Sequence, residues 1–128
     1  MHSLKPKVSV FEWKTFECDP VYLDGIDPDS CSNVLVQDCY VSTGDDCIAI
    51  KSGKDADGRA VGIPTNNVTI RNMRFGKGHG ISIGYEMSGN VTNVIFENFA
   101  MDSTERGPRV KSQRGRGGLV ANITYKDI

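Results

Sequence analysis

The sequence predicts an all-β fold: a solenoid of stacked coils rather than a sandwich or a helical domain. Two repeated strand patterns and a lack of helix-period stretches predict it. The first pattern comprises "NVLVQDCYV" from Asn33, "NVTIRNMRF" from Asn67, "NVIFENFAM" from Asn93 and "NITYKDI" from Asn122. Each opens on Asn and alternates apolar with polar residues, which is the strand signal. The second set lies between them: "DGID" from Asp24, "DCIAI" from Asp46, "HGISI" from His79 and, more loosely, "RVKS" from Arg109. Asp24 and Asp46 are 22 residues apart, and Asp46 and His79 are 33 apart, the excess being a loop, "KDADGRAVGIPT".

Repeats of this length built from short strands bury their apolar faces by stacking, because one coil cannot cover its own core. The leading Asn of each first strand suits a left-handed or turn conformation and can stack as a ladder with the Asn of the next coil. A β-sandwich with similar strand spacing is the competing architecture, and the repeat disfavours it.

The chain of 128 residues is read as a single partial solenoid domain of about four to five coils, with residues 1–20 an irregular or spliced N-terminal segment and 21–128 the coils. Net charge is −1, so no strong field draws the chain to nucleic acid or to a membrane surface. No apolar run reaches the roughly 18 residues of a membrane span. The opening "MHSLKPKVSVFEWK" has no apolar signal-peptide core. "SQRGRGG" is too short a basic repeat for a nucleic-acid segment, and a loop after a strand suits it better. A monomer without cofactor or metal is expected. The cysteines at 18, 31, 39 and 47 form no CxxC pair and allow three disulfide connectivities. Cys47 has the inward phase of the repeat, which suits a core thiol rather than a nucleophile. The sequons at Asn67, Asn90 and Asn122 fit a secreted glycoprotein, but NVT and NIT equally suit a turn entering a strand.

The candidate site follows from stacking. Aligned on the Ile that follows, Asp24, Asp46 and His79 form one column, with coils roughly 4.8 Å apart. An Asp-Asp pair after glycine is ordinarily a solvated turn. Here Asp45 stands beside Asp46 at a bend that Gly44 permits. Arg109 and Lys111, two apart on a strand, share one face on the next coil. Three carboxylates, one imidazole and two cations then meet on one patch. Repulsion favours a proton on one acid while the cations keep others ionised, an arrangement suited to glycoside hydrolysis.

"DGIDPDS", "GDD", "GHG" and "RVK", in that order, resemble the polygalacturonases, family 28 of the glycoside hydrolases, from about Asp24 to the C-terminus. The resemblance implies a right-handed parallel β-helix that hydrolyses α-1,4-galacturonosyl bonds of pectin with inversion and without metal, in a secreted or cell-wall setting. It implies Asp45 as general acid, Asp24 and Asp46 as activators of water, and His79 as the group holding the acid's charge state and orientation. It makes Arg109 and Lys111 the binders of the substrate carboxylate. Inversion leads one to expect roughly 6.5–9.5 Å between acid and base.

Two features depart from the pattern. Tyr22-Leu23 stands where the family has Asn-Thr, and "WKTFECDPVY" resembles a segment normally one coil earlier. An incomplete piece is therefore expected, with a coil missing before Asp24, poor solubility and little activity alone. The alternatives are a calcium-dependent pectin lyase-type β-helix and a non-catalytic glycan-binding solenoid. "GYEMSG" and the long insert lean towards exo-acting members.

Overall fold

The structure is a computed structural model that describes residues 23–128, together with the backbone of two short strands ahead of them, β1 (Ser9–Phe11) and β2 (Thr15–Glu17). The remaining elements are β3 (Ser32–Gln37), β4 (Tyr40–Ser42), β5 (Ile48–Ile50), α1 (Asp55–Val61), β6 (Thr65–Phe75), β7 (Ile81–Ile83), β8 (Val91–Met101), β9 (Arg109–Val110) and β10 (Val120–Lys126). Every strand pairing among the described residues is parallel. One sheet contains β1, β3, β6, β8 and β10 as successive neighbours, with β2 and β4 along its side, and a second contains β5, β7 and β9. Strands adjacent in space are thus a coil apart in sequence, which is the predicted parallel β-helix.

Register explains the repeat. Val34, Val68, Val94 and Ile123 stack in one column, and Val36, Ile70, Phe96 and Tyr125 in the next inward one. The first three of each column are buried. Each such side chain contributes about 1.5–3 kcal/mol by leaving water. Phe96 lies flat against Tyr125 at 5.1 Å and meets Phe99 edge-on. In the second sheet Ile48 stacks on Ile81 and Ile50 on Ile83.

The Asn ladder forms, with one rung made through Asn66 in place of the leading Asn67. Asn33, Asn67, Asn93 and Asn122 all have φ of 57–58°. Asn67 donates to Asn33 at 2.7 Å, Asn93 to Asn66 at 2.8 Å, and Asn122 to Asn93. The amide nitrogens of Asn67 and Asn122, where a glycan would attach, are thereby committed, so the turn reading of those two sequons accounts for them. A second left-handed column, Asp38, Asn72, Asn98 and Asp127, follows β3 and β10 and falls within β6 and β8.

The structure differs from expectation in two places. The insert expected as loop folds into α1. Asp55 and Asp57 sit in its first turn, favourable to the helix dipole, and Gly62 closes it in the left-handed conformation at φ 62°. Within the segment expected to be irregular, β1 pairs with β3 and β2 with β4, so part of it continues the ladder one coil earlier. The expected coil junction at Pro20–Asp24 lies largely outside the described residues.

Candidate active site

Stacking of unequal loops brings the site together. Ile26 bridges to Ile48, and Ile48 pairs with Ile81, so Asp24, Asp46 and His79 occupy equivalent positions on three successive coils, as the sequence predicts. Two glycines make the approach possible. A Cβ on Gly25 would lie 2.4 Å from the Cys47 carbonyl. Gly80 has φ of 90°, and a Cβ there would meet the Arg106 carbonyl at 2.3 Å. The backbone bends at Gly44 and Asp45, which turns the two adjacent acids into one cleft. That cleft, of about 370 Å³, is lined by Asp24, Asp45, Asp46, Lys51, His79 and Arg109, with Tyr85, Glu86 and Lys111 completing it. A larger hollow of about 680 Å³ beside α1 is lined by Asp29, Ser52 and the first residues of the helix. Asp29, Asp55 and Asp57 bring acids to it, but its lining has no imidazole and no pair of cations, so the chemistry is placed in the smaller cleft.

The acids have different surroundings. Asp45 is partly exposed, and its Oδ1 faces His79 Nδ1 at 3.1 Å and accepts from the Asp46 amide at 2.8 Å. The Asp45 carbonyl also takes the His79 amide at 2.7 Å, which fixes ring and carboxyl together. Nε2 of His79 points to Glu105 at 3.6 Å. Asp24 Oδ1 accepts from the same Asp46 amide at 3.1 Å. The two contacts to one nitrogen bring one oxygen of each acid, Asp24 and Asp45, to the same amide.

Asp46 is nearly buried, with 3% of its side chain exposed. Its Oδ2 accepts from Lys111 at 2.6 Å, and its Oδ1 from Arg109 at 2.8 Å and Ser82 at 3.1 Å. Burial alone would raise this carboxyl, but the hydrogen bonds from Lys111 and then Arg109 outweigh it and hold it below the usual carboxylate range. Arg109 also donates to Ser82 at 3.1 Å, and the Lys111 ammonium sits 5.0 Å from the Tyr85 ring centre. The two cations that the resemblance assigns to a substrate carboxylate thus rest on Asp46, facing the cleft. Donor atoms of Asp45, Asp46 and His79 lie within 4.8 Å of one another. A metal ion there would meet the like charges of Lys111 and Arg109, so the donor set does not suit one. Cys47 is buried and its thiol is pushed up by desolvation, in keeping with its core phase.

The motifs did not point to Lys51, Glu86 or Asp27. Lys51 Nζ lies 3.1 Å from Glu86, 3.9 Å from Asp24 and 4.0 Å from Asp27. Asp27 was visible as the second acid of "DGID", but nothing in spacing tied it to a cation one coil on.

Comparison with known proteins agrees with the parallel β-helix. The sequence model of Glycosyl hydrolases family 28 matches residues 19–128. A probable polygalacturonase of Vitis vinifera is 44% identical over 107 residues, 82% of this chain and 22% of the relative. The crystal structure of a hyperthermoactive exopolygalacturonase from Thermotoga maritima superposes with a TM-score of 0.76 at 38% identity, covering 80% of this chain and 27% of that one. The polygalacturonase from Erwinia carotovora superposes at 0.72 and 38% identity, covering 81% and 26%. The chain thus spans about a fifth of the length of the curated relatives it matches, at 22% and 19% for two of them.

Proposed function

Because this chain, a right-handed parallel β-helix, belongs to family 28 of the glycosyl hydrolases, we propose that its cleft hydrolyses the α-1,4-galacturonosyl bonds of polygalacturonate. The observation that carries the reading is the set Asp45–His79, Asp24 and the Arg109–Lys111 pair gathered in one cleft. Asp45 protonates the glycosidic oxygen as the C1–O bond breaks. Its Oδ1 is held by His79 and the Asp46 amide, so Oδ2 is left to face the leaving oxygen. Asp24 takes the proton of the water whose oxygen forms the new bond to C1. Asp46 has its oxygens occupied, so we assign it mainly to holding Arg109 and Lys111 in place, and Asp24 to the larger share of water activation. Remaining N–H groups of the two cations attract the substrate carboxylate. The substrate is a wall polymer, so the reading carries pectin degradation and action outside the cell with it.

Water attack gives inversion. Direct attack by Asp24 would give retention instead, so the product anomer is the decisive measurement. Proton NMR of polygalacturonate digests should show the β-anomer first. The α-anomer first would make Asp24 a nucleophile. Asp45→Asn should lower kcat about 10²–10⁴-fold with oligogalacturonate binding retained. Turnover equal to the parent's would overturn the assignment.

A further inference from the structure

Tyr85 brings an aromatic ring into a cleft otherwise lined by charged side chains and His79. Among the large apolar side chains exposed in the described residues, it is the one that lines that cleft, with 45% of its surface open. A scattered exposed apolar residue is ordinary, but this one is held in place on both sides. Gly84 donates to the Ile50 carbonyl at 2.9 Å and has φ of 99°, and a Cβ there would run into the Lys111 carbonyl. The Glu86 carbonyl accepts from the Ser52 amide at 2.8 Å, and the Glu86 carboxylate meets Lys51 at 3.1 Å. The Lys111 amide in turn donates to the Ile83 carbonyl at 2.7 Å. These backbone contacts set Tyr85 beside Lys111, with the ammonium 5.0 Å from the ring centre, within cation–π range.

We propose that Tyr85 is a further substrate-contacting residue, whose open surface carries the C–H face of the galacturonate ring that Arg109 and Lys111 recognise by its carboxylate. The identity of the sugar rests on the reading above. Galacturonate has an axial O4, so the opposite side of C3, C4 and C5 presents C–H bonds. That small apolar patch suits an aromatic plane. The C6 carboxylate is bonded to C5, at the edge of the patch, and the spacing of ring and ammonium is short enough for one sugar to touch both. An aromatic face is itself negative and does not attract a carboxylate. The ring therefore reads the shape of the sugar and the two cations read its charge.

The probes are trigalacturonate and its methyl ester, bound to the Asp45→Asn chain so that neither is consumed. Saturating the aromatic ring protons should pass magnetisation to H3, H4 and H5 of a bound sugar. At saturating ligand the transfer should vanish in Tyr85→Leu and persist in Tyr85→Phe. By calorimetry Tyr85→Leu should bind about 3–10-fold more weakly, by the same factor for acid and ester, and Tyr85→Phe should bind as its parent does. A ring that served only to hold Lys111 would weaken the acid form alone. That result, unchanged affinity in Tyr85→Leu, or saturation that reaches no sugar proton would overturn the proposal. Cleavage is read separately with Asp45 restored. Transfer to the sugar without polygalacturonate cleavage would refute the hydrolase reading and leave the stacking contact standing. Cleavage without transfer would do the reverse.

Discussion

Asp27 and Asp46 pull stability in opposite directions with pH. A free aspartate loses its proton near about 3.9, whereas folded Asp27 keeps it to about 8. Between those values the unfolded chain has released a proton that the folded chain holds, so stability falls as pH rises. Asp46 is the reverse case. Its folded carboxyl lies below the ordinary value, so its contribution is present above the unfolded pKa and is lost as pH falls through the folded one. Stability should therefore peak at about pH 4–5. Asp27→Asn removes only the upper slope. Its melting temperature should match the parent's near the peak and exceed it at about pH 8, and parallel curves would exclude the effect. At this scale the site was partly legible. The motif residues are all in the cleft, because strand register carries them there. Which atom meets which was not legible: Lys111 lands on Asp46 through a bend at Gly44–Asp45, and Lys51 meets Glu86 although strand register sets it level with Gly84.

Single strands show what the Asn repeat does. Asn93, the third residue of β8, has φ of 57°, donates to Asn66 and accepts from Asn122. A left-handed backbone costs an ordinary L-residue about 1–2 kcal/mol, and each net hydrogen bond contributes about 0.5–1.5 kcal/mol. Asn93→Ala should accordingly lose about 2–3 kcal/mol, and Asn93→Gly should recover about 1 kcal/mol of that by relieving the backbone alone. Urea unfolding of the two variants separates the contributions. Equal losses would mean that the ladder bonds carry everything. The first ladder was legible because the same residue recurs at each strand start. The second was not, because Asp38, Asn72, Asn98 and Asp127 mix two residue types and sit where a strand would ordinarily continue. α1 was missed for a related reason: seven residues with a glycine inside carry little helical periodicity, and its ends are set by Gly62 and by Ser88, whose hydroxyl takes the Asp55 amide at 2.7 Å.

For the molecule as a whole, the stacked solenoid was the most legible feature, because only shared burial between coils gives strands of this length and alternation a core. The same logic fixes how damage should spread. Phe96 is fully buried, stacks on Tyr125 of the following coil and lies in register with Ile70 of the preceding one. Ile95, its neighbour in β8, points the other way and is 37% exposed. Phe96→Ala should cost about 3–5 kcal/mol through lost burial and the cavity it leaves, whereas Ile95→Ala should cost about 1 kcal/mol or less, the range of surface substitutions. In a solenoid stability is a sum of coil and nearest-neighbour terms. The loss in Phe96→Ala should therefore appear first as faster amide exchange in β8 and β10, with β3, two interfaces away, least affected. Hydrogen exchange at individual amides measures this directly. A uniform loss of protection from β3 to β10 would mean that the coils unfold as one unit and that the nearest-neighbour description does not hold for this chain.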